Sequence, residues 1–207
     1  MIKQLSWGIP VLAGLMTVVA GGIAAQTTSC NTVLTPGSYT SVNVPAGATC
    51  TVSVPGTVDV AGNVTVGANR SLAFTSNAKF VINGSLIGTN AFTIEITPAT
   101  GTGGAANILG SVSLTGIAGF VAIDNSFIGG TVSVSGSNPV DIFVVSDIVS
   151  GNVLIRNNTT RGGPNSDVIQ GNTIGSSLVC SGNTPAPVNG GVPNTVGGST
   201  VGQCQGL

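Results

Sequence analysis

Gly110-Ser111-Val112, Gly130-Thr131-Val132, Gly151-Asn152-Val153 and Gly171-Asn172-Thr173 repeat one phrase, a glycine, a small polar residue and in most copies an apolar one, at steps of 20, 21 and 20 residues. Two earlier copies, Gly84-Ser85-Leu86 and Gly62-Asn63-Val64, extend it backwards at steps of 26 and 22. A fixed period of this length marks a solenoid, whose repeats cannot bury their apolar residues alone and close a core only by stacking.

Around the glycines, apolar residues alternate: Val42 and Val44, Val52 and Val54, Val58 and Val60, Val64 and Val66. Period two specifies strands. Turn residues at Pro36-Gly37, Pro45-Ala46-Gly47, Pro55-Gly56 and Gly67-Ala68-Asn69 keep those strands short and leave no room for a helix. About three short strands per step of about 20 residues is what one rung of a parallel β-helix needs, each strand pairing with its equivalent in the next rung about 4.8 Å away. The expected fold is therefore all-β, a single-stranded parallel β-helix with rungs of about 20–26 residues, right-handed by the general preference of parallel crossovers. Val64, Leu86, Val112, Val132 and Val153 should stack in one inward column, flanked by an outward polar ladder of Asn63, Ser85, Ser111, Thr131, Asn152 and Asn172. The Gly- and Thr-rich segment from Thr97 to Asn107, inside the longest step, reads as a loop leaving the solenoid. An antiparallel sandwich also suits short alternating strands, but it does not explain glycine returning in register.

Residues 1–25 read as a secretory signal peptide: Lys3 provides the positive start, Ile9 to Val19 the apolar run, and Gly21 to Ala25 the small-residue cleavage zone. A mature domain over 26–207 would retain four basic and six acidic residues and no His, Met or Trp. So little positive charge argues against nucleic acid or anionic membrane as partners. Hydrophobic content of 42% argues for a packed interior despite 32 glycines.

Asp147-Ile148-Val149-Ser150-Gly151-Asn152 and Asp167-Val168-Ile169-Gln170-Gly171-Asn172 resemble rungs of secreted right-handed parallel β-helix proteins, the pectate-lyase-like superfold. The resemblance spans roughly residues 62–197 and rests on repeat style. That superfold hosts lyases, hydrolases, adhesins and surface proteins, so it implies extracellular location more than activity.

Candidate chemistry is sparse. Asp147 and Asp167 each precede a repeat glycine by four residues, so the spacing predicts a carboxylate ladder on neighbouring rungs, with Ser126 one rung earlier. Such a pair could perturb each other's protonation or share a cation such as calcium. An arranged acid–base site needs more than adjacency, and Arg156 and Arg161 are the only cations nearby. No catalytic residue, cofactor or other metal is expected. The six Phe residues fall in apolar runs and read as core, which leaves Tyr39 as the one aromatic with a polar handle. A regular hydroxyl ladder also suits ice binding, although the outward pairs Asn63/Thr65, Ser111/Ser113 and Thr131/Ser133 give way to Asn152/Leu154. Sequons at Asn63, Asn69, Asn83, Asn157 and Asn158 follow from composition and matter only in a glycosylating host.

Cys30 and Cys50 are 20 residues apart, and Cys180 and Cys204 are 24 apart, both close to the glycine step. Each pair should lie on adjacent rungs, within the Cα separation of roughly 4.4–6.8 Å that a disulfide requires. Bridges would then close an N-terminal cap over 30–50 and a C-terminal cap over 176–207. The reading that results is a secreted or cell-surface structural, adhesive solenoid without catalytic activity, whose partners would be surface polysaccharide or further copies of itself. A polysaccharide-binding or polysaccharide-cleaving β-helix is the alternative, and an ice-binding solenoid a further one.

Overall fold

The computed structural model describes residues 26–99 and 105–207. The signal-like segment 1–25 and residues 100–104 lie outside them. Among the described residues there is no helix, and every strand pairing is parallel, forming a β-solenoid of about seven turns. The larger sheet is two faces joined at one strand. Gly37–Val44 pairs through its first half with Thr57–Val60 and through its second half with Val64–Val66. From there one face climbs through Lys79–Ile82, Ala105–Ile108, Ser126–Ile128, Ile148–Val149, Thr173–Ile174 and Thr195–Val196. The second climbs through Leu86–Thr89, Val112–Thr115, Val132–Ser135, Val153–Arg156, Leu178–Ser181 and Thr200–Gly202. A separate six-stranded sheet, Thr49–Val52 to Asp167–Gln170, forms the third face.

The expected inward column is present. Val64, Leu86, Val112, Val132, Val153 and Leu178 pair in succession on the second face, and all are fully buried. On the third face the matching inward column runs Cys50, Leu72, Ile94, Val121 and Ile142. Each such side chain contributes about 1.5–3 kcal/mol by leaving water, which is why chains with so few charges settle into stacked rungs.

The recurring glycine marks a corner where successive rungs nearly touch. Gly110, Gly130 and Gly151 each donate their N–H to the carbonyl of the glycine one rung back, at 2.9, 2.8 and 2.9 Å. A Cβ at Gly151 would sit 2.6 Å from the Gly130 carbonyl oxygen, closer than atoms can approach.

Two expectations are corrected. Gly171-Asn172-Thr173 is not the next copy of the phrase: the residue above Gly151 is Ser176, whose N–H donates to the Gly151 carbonyl. Between Arg156 and Asp167 the chain makes a longer connection, so the step grows, and Gly171 instead occupies a different corner in a left-handed conformation, φ 65°, above Ser146 at 57° and Asn125 at 48°. The supposed loop from Thr97 to Asn107 also shrinks, since Ala105–Ile108 is a regular strand pairing with Lys79–Ile82 and Ser126–Ile128.

Candidate functional site

The misplaced copy undoes the carboxylate ladder. Asp167 opens the strand Asp167–Gln170 on the third face, opposite Ile142, so it extends the inward column of Cys50, Leu72, Ile94 and Val121. It is 1% exposed, and neither carboxyl oxygen has a hydrogen-bond partner. Burial pushes its pKa up to about 7. Asp147 stands on another column, at the corner between the third and first faces. Its neighbours there are Ser126 below and Asn172 above, as the hydrogen bonds from the Ser126 N–H to Asp147 Oδ1 (2.8 Å) and from the Asp147 N–H to Asn172 Oδ1 (2.9 Å) show. The two carboxyls therefore belong to separate columns. Ser126 is placed one rung before Asp147, as its spacing indicated.

Asp147 is 1% exposed, and its Oδ2 has no partner. Burial raises its pKa well above the ordinary aspartate value; the nearby Asp124 carboxylate adds to this, while the Ser126 and Val145 N–H groups oppose it. Asp124 is itself raised by partial burial, against hydrogen bonding from Asn125. The buried, separated and core-facing placement of Asp147 and Asp167 presents neither to a substrate in solvent, and general acid–base work requires such contact.

The polar ladder has a structural use. Asn63 Oδ1 accepts the Ser85 N–H, and the same step repeats from Ser85 Oγ to Ser111, Ser111 Oγ to Thr131, Thr131 Oγ1 to Asn152, Asn152 Oδ1 to Ser177 and Ser177 Oγ to Ser199. Asn172 is absent from this ladder because it belongs to the Asp147 corner. A third corner carries Ser137, Asn158, Asn183 and Gln203, each side chain accepting the backbone N–H one rung below. Those last two ladders escaped the sequence reading, but a signal was there. A left-handed Asn, Gly or Ser directly precedes each ladder residue from Ser126 to Asn172 and from Ser137 to Asn183: Asn125, Ser146, Gly171, then Gly136, Asn157, Gly182. Asn158, read as a sequon, has its side chain fully buried in this ladder.

The aromatic residues divide. Phe74 and Phe80 are core, with ring centroids 5.3 Å apart, as expected. Phe92 and Phe127 are instead exposed, and Phe120 and Phe143 pair edge-on at 5.6 Å on the outside of the third face. Within the strand Ser126–Ile128 the flanking residues point inward, so alternation turns Phe127 out, directly beside Ile148 of the next rung. Phe127 and Ile148 edge a cavity of about 230 Å³ whose other walls include Ala105, Asn107, Asn125 and Ser146. Its lining is uncharged. The volume falls below the roughly 300–1,000 Å³ usual for small-molecule sites, leaving room for one ring lying against an apolar wall with amide and hydroxyl groups at its edge. Tyr39 is not part of it; its hydroxyl donates to the Thr35 carbonyl at 2.7 Å.

Both cysteine pairs lie at disulfide distance, Cys30 to Cys50 with Cα atoms 5.4 Å apart and Cys180 to Cys204 with 5.1 Å. Two such pairs suggest an oxidising environment. Among the described residues no helix is long and apolar enough to cross a membrane, and no group of three or more Asp, Glu, Cys or His could hold a metal ion. No family model matches this chain, and no curated protein and no solved structure matches it either.

Proposed function

We propose that the protein is a secreted or cell-surface adhesive β-solenoid without catalytic activity, which holds a neutral polysaccharide against the face carrying Phe127 and Ile148. The carrying observation is the uncharged depression edged by those two side chains and walled by Asn107, Asn125 and Ser146. An aromatic face packs on the C–H face of a sugar ring, while amide and hydroxyl groups satisfy its hydroxyls, and an uncharged lining selects neutral over acidic glycans. Adjacent rungs repeat at about 4.8 Å, so a chain lying along the face crosses Asn107, Phe127, Ile148 and Thr173 in succession. The inward placement of Asp147 and Asp167 favours binding over cleavage. The signal-like segment 1–25, the paired cysteines and the repeat style shared with pectate-lyase-like β-helices support an extracellular location. On the second face, Ser111, Thr131 and Asn152 already hold backbone N–H groups, which favours a structural role for that ladder over ice binding.

The test is retention of the mature protein on immobilised neutral and acidic polysaccharides. Phe127→Ala should weaken binding to a neutral glycan about tenfold, the equivalent of about 1.4 kcal/mol, with thermal stability nearly unchanged because the ring is outside. Unaltered retention in a Phe127→Ala/Ile148→Ala variant would overturn the site. Release of new chain ends from any polysaccharide, abolished by Asp147→Asn or Asp167→Asn, would overturn the non-catalytic reading.

A further inference from the structure

The two inward corner ladders follow one rule. Each asparagine receives the N–H of the ladder residue one rung below through Oδ1, and with Nδ2 donates to the carbonyl three residues before that residue. Asn158 takes the Ser137 N–H and donates to Val134 O at 3.0 Å; Asn183 takes the Asn158 N–H and donates to Ile155 O at 2.8 Å. Asn172 takes the Asp147 N–H and donates to Val144 O at 2.8 Å; Asn194 takes the Asn172 N–H and donates to Ile169 O at 2.8 Å.

Asp147 occupies the same position and keeps only half of the rule. Its Oδ1 takes the Ser126 N–H at 2.8 Å, but the atom standing where every asparagine has its donor is Oδ2, buried and without a partner. Three residues before Ser126 lies Ile123, which pairs with Val144 just as Val144 pairs with Ile169. By the asparagines' rule the Ile123 carbonyl is therefore the acceptor for Oδ2, with Asn172 Oδ1 above it in the place where Asn158 and Asn172 find a second one. An ionised Oδ2 offers that carbonyl no hydrogen, whereas a protonated one donates to it as an amide does.

We infer that Asp147 is kept as a neutral carboxylic acid in the folded protein, its Oδ2 hydroxyl donating to the Ile123 carbonyl, and that this makes the solenoid more stable in acid than at neutral pH. The elements packed against Asp147 carry two other titratable groups. Asp124, at the end of Phe120–Asp124, is an acid whose charge disfavours a second one nearby; Asp167, at the far end of Asp167–Gln170, faces the core. Neither supplies a cation to hold Asp147 ionised. The direction of the Asp147 shift, raised by burial, agrees. The linkage follows: an acid whose folded pKa lies above its unfolded value of about 3.9 stabilises fully below that value, and the contribution is lost as pH rises through the folded pKa. The inference is independent of the polysaccharide reading.

Infrared spectroscopy and thermal melts of the full protein test it. In an Asp167→Asn background, which removes the other buried carboxyl, a protonated-carboxyl band should persist at about pH 6, where ordinary aspartates near 3.9 are ionised, and should vanish when Asp147→Asn is added. Asp147→Asn alone should raise Tm by several degrees at about pH 8 and by little at about pH 4, since an amide donates at both. No carboxyl band in Asp167→Asn, or a Tm advantage of Asp147→Asn that is the same at both pH values, would overturn the inference.

Discussion

At the scale of single residues, the interior separates what is merely apolar from what is tolerated. Asp167 stands in a column that is otherwise Cys50, Leu72, Ile94, Val121 and Ile142, and its raised pKa of about 7 makes it a second acid-stabilising group. The stability it retains below about pH 4 is lost as pH rises towards 7 and the carboxyl is forced to ionise in the core. Replacing it with leucine should therefore stabilise the protein at about pH 8 by on the order of 3 kcal/mol, with most of that gain gone at about pH 4. Urea melts of Asp167→Leu at the two pH values check this, and equal destabilisation at both would show that the carboxyl has a partner role instead. The sequence could not reveal this placement. Asp167 and Asp147 share a local phrase, and only the longer connection between Arg156 and Asp167 decides that they belong to different columns.

Among the elements, strands were legible wherever alternation and glycine spacing agreed, as from Gly62 to Val153, because close approach at a corner leaves little choice but glycine. Legibility failed where two corners use similar chemistry. Gly171-Asn172 copies Gly151-Asn152 in letters, yet its glycine serves a left-handed turn and its asparagine an inward amide ladder. Phe127 was hidden by its own hydrophobicity, since parity within Ser126–Ile128 points it outward while composition suggests core. The cysteines were readable because separations of 20 and 24 residues fall near the glycine step, although the N-terminal rung itself is shorter, with Ser29 opposite Asn43 and Val33 opposite Thr51. Mapping of the oxidised protein should find Cys30 joined to Cys50 and Cys180 to Cys204. Changing both cysteines of either pair to alanine should remove up to about 3 kcal/mol for a loop of this size, read as a lower denaturant midpoint. A bridge between Cys30 and either distant cysteine, or free thiols, would break the rung assignment.

For the whole molecule, the depression around Phe127, Ile148 and Asn107 was not foreseeable from the chain alone, because it is assembled from three rungs and each contributes one or two outward side chains. The feature with the widest consequence is the set of corner ladders. They tie each rung to the next at three edges, in addition to the sheet bonds, and a tie that skips a rung, such as the Arg161 guanidinium donating to the Ala118 carbonyl two rungs below, is the exception. Held by its two ends and stretched, such a molecule has no single point of failure; it gives way as a stack of coins lifted one at a time. Each lost rung of 20 to 26 residues frees about 70–90 Å of chain, so an optical trap should record a staircase of steps in that range instead of one collapse. The bridged stretches of 20 and 24 residues should stay folded out of reach until they are reduced. In an adhesive solenoid of the kind proposed above, that staircase would act as a shock absorber, dissipating load in small instalments before the attachment lets go.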